Sequence, residues 1–172
     1  SLWPFVTLYA YEYMENADHR NSFLRFYLMT YGVTLGIAFS ANVLTLYVFF
    51  EMLSLVTIPL VAHYQDHESM YAVRVYAVYV IGGAALAFVP VVVMTMFADG
   101  PFVWGGRSFR VLGLNYVRIM WLFVFFGFGV KAAVMPFHLW LPEATVAPTP
   151  VKALLHAVAV VNSGVFAVAR LT

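Results

Sequence analysis

The chain has 172 residues, of which 63% are hydrophobic, 18% aromatic and only 10% charged, with a mean hydropathy of +0.86. That is too apolar for a soluble domain, and nine Lys/Arg against eight Asp/Glu offer no basic surface for nucleic acid. With no cysteine, the chain holds no disulfide, thiolate zinc site or cysteine-bound iron–sulfur cluster, so no cofactor or metal is expected in it and any redox chemistry belongs to another subunit.

A membrane-spanning chain must satisfy its backbone internally, and the alternating ten-residue pattern of a barrel is missing, so the expected fold is an all-α, polytopic helical bundle in a lipid bilayer. Ser1 to Tyr13 reads as the end of a span already under way. With no initiator Met and no signal-peptidase pattern, the chain is expected to be an internal piece of a longer protein. Five full spans follow, at 23–41, 43–62, 70–97, 116–141 and 150–170, each long enough to cross about 30 Å of hydrocarbon. Together they form one transmembrane bundle over residues 1–172.

Polar residues gather between the spans: Glu15, Asn16, Asp18, His19, Arg20 and Asn21, then Ser40 to Asn42, then His63, Gln65, Asp66, His67 and Glu68. The longest connection, Ala98 to Asn115, carries the turn signals Asp99-Gly100-Pro101 and Gly105-Gly106. Arg20, Arg25, Arg74 and Lys152 fall on one side, and Arg107, Arg110, Arg118 and Arg170 on the other. Four against four leaves the orientation open. The acidic third loop is read as solvated residues and not as a metal site. Gly32 with Gly36, Gly82-Gly83 and Gly127 with Gly129 are read as packing positions.

Two charges break this pattern. Glu51 lies near the middle of the second full span and Lys131 inside the fourth, where a formal charge costs about 2.5–3.5 kcal/mol on insertion scales and so faces a partner or a polar path. Opposite signs make them a candidate pair, either a fixed structural ion pair or a proton switch. Pro136, five residues after Lys131, deprives the Ala132 carbonyl of its helical donor, so the fourth span is expected to break near Pro136, with Lys131 just before the break. Pro142, Pro148 and Pro150 follow, and Thr149 before Pro150 reads as the N-cap of a new helix. Broken backbone at membrane depth lines ion sites in transporters.

The run from Lys131 through Pro136, His138, Trp140 and Glu143 to Ala144, continued by Ala147-Pro148-Thr149-Pro150-Val151 and by Ala153 to Ala157 around His156, closely resembles the antiporter-like membrane subunits. These are the proton-translocating subunits of respiratory complex I, the Mrp-type sodium/proton antiporter subunits and the membrane subunits of energy-converting hydrogenases. Asn42 to Glu51 is similar to the same family's glutamate helix. The resemblance covers nearly the whole chain and implies the first of two inverted five-helix repeats, preceded by the end of another helix. It implies a multi-pass protein of a prokaryotic inner or plasma membrane, with other membrane subunits of a multisubunit complex as partners.

The implied function is proton translocation in a complex I-like or hydrogenase-like redox-driven pump of the NADH:quinone oxidoreductase type, with no bond chemistry in this chain. An Mrp-type sodium/proton antiporter subunit is the alternative, and a non-conducting structural subunit the third. Within the resemblance, Glu51 and Lys131 are the paired carboxylate and lysine of the first half-channel and His156 is the next proton relay, since imidazole titrates near neutrality; a lone membrane histidine is otherwise an interhelical hydrogen-bond partner. Many members carry a lysine where this chain has Asn162, so the route beyond Lys131 is expected to rest on His156, with Asn162 at most orienting water. Lys152 stands where a small residue is usual and is expected to snorkel to the interface or pair with Glu143. Arg74 matches a basic position that either biases Glu51 or anchors the interface. His138 and Glu143 either admit protons from one surface or cap loose helix ends.

Overall fold

The computed structural model describes residues 2–17, 19–97 and 114–171, and every regular element among them is helical. α1 is Trp3–Tyr13, with a proline in its first turn. α2 is Arg20–Ala38, entered through His19 in the left-handed region (φ 58°). α3, Val43–Val61, starts at a strong signal: the Asn42 side-chain oxygen accepts the Thr45 N–H at 2.6 Å, satisfying one of the orphan donors of the first turn. α4, His67–Phe97, starts three residues earlier than the hydropathy predicts, because Asp66 caps it and accepts the Ser69 N–H at 2.9 Å. Asp18 and the 98–113 connection, with its turn signals and Arg107 and Arg110, lie outside the described residues.

The fourth span departs most from expectation. α5 runs only from Leu114 to Gly129, and the break expected near Pro136 does contain that residue but opens earlier, before Lys131. Its end has a local cause. Ala133 takes φ 54°, its N–H bonds to the Val130 carbonyl at 3.0 Å, and the Val134 N–H reaches the Gly129 carbonyl at 3.1 Å. These are the paired bonds of a Schellman ending, with alanine where glycine is usual. Lys131 therefore sits in the closing turn itself. A non-helical stretch containing Pro136, joined to Met135 by a cis peptide, leads to α6 (Trp140–Glu143) and a 3-10 turn at Ala144–Val146.

The last span is composite: α7 (Thr149–Ala153), a π turn (Leu154–Val158) and α8 (Val160–Leu171). Thr149 makes no side-chain cap. It is already the first helical residue, after Pro148 in extended conformation, so the predicted cap is off by one position.

Val43–Val61, His67–Met96 and Thr149–Leu171 are long and apolar enough to cross a membrane; Asn115–Gly129 is apolar but shorter. α2 has the length of α3 but also carries Arg20, Asn21 and Arg25, which lower its apolarity. The helices pack in the order α2, α3, α4, α5, α8, and α8 also meets α3. Of the GxxxG pair only Gly36 meets a neighbour, the Phe49 ring, while Gly32 faces open space. Close approach occurs at Gly127 instead, where a Cβ would lie 2.5 Å from the Ala87 nitrogen, so α4 and α5 touch through backbone. Pro59 and Pro90 sit inside α3 and α4, two interior prolines that the hydropathy pattern absorbs without a break.

Candidate functional site

α3 carries Glu51 in its third turn, level with the closing turn of α5, and the two charges meet there. The Lys131 ammonium is 1% exposed and lies 3.9 Å from Glu51 Oε1. It donates a hydrogen bond to the Phe50 carbonyl and sits 3.5 Å from the centroid of the Phe50 ring. Phe50 thus offers the cation both a carbonyl dipole and a π face. The ring is held by Phe128 of α5, edge to face at 4.9 Å. A cation in the last turn of a helix is also favoured by that helix's dipole. Glu51 is 23% exposed on its side chain, and its Oε1 has no hydrogen-bond partner among the described residues. The two groups are in ion-pair contact without a hydrogen bond between them.

The broken segment is pinned on both sides. The buried Trp140 indole donates to the Val130 carbonyl at 2.8 Å, next to Lys131, and its ring packs against Tyr76 of α4 at 5.3 Å. Tyr76 in turn hydrogen-bonds Thr57 of α3 at 2.7 Å. From the other side, Gly164 of α8 lies so close that a Cβ would sit 2.5 Å from the Ala132 nitrogen and 3.0 Å from the Lys131 carbonyl carbon. The sequence assigns no role to Phe50, Trp140 or Gly164, although Phe50 and Trp140 lie within the runs that carry the resemblance. Two left a signal: an indole N–H a few residues past a helix end suits the carbonyls freed there, and a glycine in an apolar helix marks a close approach.

The remaining candidates are distributed as follows. His156 lies in the π turn, and its Nε2 is buried without a hydrogen-bond partner among the described residues; no hydrogen bond joins it to Lys131. Lys152 precedes it by four residues and acts on it electrostatically. Among the described residues, no ion pair joins Lys152 to Glu143. Asn162 is exposed, and its amide is spent on the Ala157 carbonyl at 2.7 Å. Arg74 is exposed and forms no ion pair with Glu51 among the described residues. It lines an open hollow of about 710 Å³ with Gln65, Asp66, His67, Glu68 and Glu143. Glu143 and Arg74 are thus brought to one surface, while His138, its Nδ1 buried and unpartnered, stays in the broken segment. In the loop at that hollow, hydrogen bonds from the Ser69 side chain and N–H hold the Asp66 carboxyl below its usual range. No three His, Asp or Glu side chains gather to hold a metal ion among the described residues. Arg170 does more than mark an interface: it donates to the Ser40 carbonyl at 2.7 Å and ties α8 to the end of α2.

Residues 40–172, which include Glu51, Lys131 and His156, match the family model described as the transmembrane part of NADH:quinone oxidoreductase and the Mrp antiporter. The chain belongs to this antiporter-like family. It is therefore an integral, multi-pass membrane protein. Over 97% of its length it is 36% identical to a Na(+)/H(+) antiporter subunit of Alkalihalophilus pseudofirmus and 30% identical to a Na(+)/H(+) antiporter subunit of Staphylococcus epidermidis, in each case covering 21% of that protein. The chain thus spans about a fifth of these relatives. Among solved structures, a chain of the membrane-bound sulfane sulfur reductase, an archaeal respiratory membrane complex, superposes with a TM-score of 0.77 over 89% of this chain and 32% of that one, at 21% identity. That likeness shows a shared fold.

Proposed function

We propose that this bundle translocates protons within a multisubunit membrane complex, with Lys131 as the switching group, Glu51 as its modulator and His156 as the next relay. The observation that carries the reading is the placement of Lys131: a fully buried ammonium in a broken helix, touched by a carboxylate that is not hydrogen-bonded to it. Burial works against the charged ammonium, and the nearby carboxylate works for it. Turning Glu51 away, or protonating it, removes the support, and the lysine gives up a proton. The Phe50 carbonyl and ring hold the nitrogen in place while this happens. No hydrogen bond joins His156 to Lys131 among the described residues, so transfer between them needs a carrier such as water, after which Glu51 returns and the amine reloads.

Two assemblies fit. The relatives named as sodium/proton antiporter subunits favour exchange against sodium, while the family description also covers redox-driven quinone reductases. The test is proton flux into inverted membrane vesicles holding the full-length subunit in its assembled complex. Lys131→Met should lower flux at least about tenfold, equivalent to about 1.4 kcal/mol in the barrier. Unchanged flux would remove Lys131 from the route and favour a structural role for the pair. Flux driven by a sodium gradient without an electron donor marks an exchanger, and flux that needs the donor marks a redox-driven pump.

A further inference from the structure

The composite last helix has a feature that the transfer just described does not use. At the π turn the Ala159 N–H bonds five residues back to the Leu154 carbonyl at 2.9 Å, and Ala159 itself leaves helical torsion with φ −123° and ψ −66°. Just beyond it, the Asn162 amide also reaches back five residues, to the Ala157 carbonyl. In an unbroken α-helix that carbonyl takes the N–H of Val161. The π turn shifts the pairing by one residue, and a side-chain amide occupies the carbonyl.

The shift has a directional consequence. One inserted residue rotates the helix before it against the helix after it by about 100°. Before the turn's end stands His156, with Nε2 buried and unpartnered; after it stands Gly164, pressed on the Lys131–Ala132 peptide. A Cβ at Gly164 would lie 2.5 Å from the Ala132 nitrogen, so that part of the helix is closely seated on the broken segment. Losing the π turn would change how His156 is set relative to Gly164. Asn162 itself stands on the wall of a groove of about 160 Å³ between α2 and the last helix, lined also by Thr34, Ile37, Ala38, Val158 and Phe166.

We propose that Asn162 is a positioning residue for His156, its amide latching the π turn so that the buried edge of the imidazole keeps its place. The proposal rests on the reading of His156 as a relay. It gives Asn162 a structural donor's task in place of contact with the moving proton.

The test uses the full-length subunit in its assembled complex, with a cryo-EM map of the final helix and vesicle proton flux as separate readouts. Asn162→Leu and Asn162→Asp both remove the donor at nearly constant size. Each should convert Leu154–Val158 to α-helical winding, displace His156, and lower flux about tenfold, the effect of losing one hydrogen bond's worth of positioning. Asn162→Gln keeps a donor amide and should retain the turn and flux within about twofold. A map of either donor-free variant in which the π turn and the imidazole are unmoved overturns the latch, whatever the flux. Should His156→Ala leave flux intact while Asn162→Leu still unwinds the turn, the relay reading fails and the latch stands.

Discussion

Ala133 holds a left-handed backbone conformation (φ 54°) that an L-residue with a Cβ adopts at a cost of about 1–2 kcal/mol. The cost is borne because the Schellman bonds of Ala133 and Val134 stop α5 where Lys131 can reach Phe50 and Glu51. Ala133→Gly should relieve it and raise stability by about 1 kcal/mol, less the entropy glycine brings to the unfolded chain. Thermal unfolding of the detergent-solubilised full-length subunit would show it; a lower midpoint would mean that the Ala133 methyl group packs more usefully than its backbone is strained. A second single-residue effect lies in the loop before α4. Asp66 titrates below the usual carboxylate range because it accepts from Ser69, so its support of the helix start is present above that range and lost as pH falls through the lowered value. In Ser69→Ala the Asp66 titration, followed by NMR, should move part of the way up toward the ordinary value, and an unmoved titration would assign the shift to the residue-69 N–H rather than the hydroxyl.

At the scale of elements, the broken segment is held by contacts from three helices, and those contacts decide where Lys131 sits. Trp140→Phe keeps the ring against Tyr76 but deletes the N–H bonded to the Val130 carbonyl, so it should cost about 1 kcal/mol. Gly164→Ala is harsher, since the new methyl group would meet backbone rather than a flexible side chain; overpacking of this kind costs about 1–3 kcal/mol. It should also push the Lys131 peptide away from α8, and a full-strength proton flux in Gly164→Ala would mean that Lys131 tolerates displacement. These two residues mark what the sequence left hidden. Glu51, Lys131 and the helix break are legible because a charge or a proline in an apolar run violates a one-dimensional rule. The residue at which α5 ends is not: a Schellman ending with alanine in the glycine position has no composition signal, so Pro136 reveals the break it lies in but not where that break begins. The π turn at His156 is equally silent, because Leu154 to Val158 reads as ordinary helix.

Across the whole molecule, the sequential helices α2 to α5 pack each on the next, and α8 returns to meet α3 and α5. That closure places the broken segment between α3 and α8, a result of pairing that hydropathy along a chain does not contain. Hydropathy did find the apolar segments, but α4's early start and α2's polar first turn depended on the local caps and charges. Many large apolar side chains remain exposed, among them Phe5, Val78, Ile81 and Phe88, as suits surfaces facing lipid or further helices. The closure is fastened at one end by Arg170. Its guanidinium donates to the Ser40 carbonyl and, at 3.5 Å, to that of Ala38, just past the last turn of α2, where the helix leaves unpaired carbonyls and negative partial charge. Hydrogen bonds from a charged donor contribute about 1.5–3 kcal/mol, so Arg170→Ala should lower unfolding stability by that order. Arg170→Lys keeps the charge but loses the fork that reaches two carbonyls, so it should fall between the two. Thermal unfolding of the three full-length proteins in one detergent decides the matter. A lysine variant as unstable as the alanine variant would mean that fork geometry, not charge, closes α8 onto α2, and an alanine variant as stable as the parent would mean that packing between α8, α3 and α5 closes the bundle without help from this end.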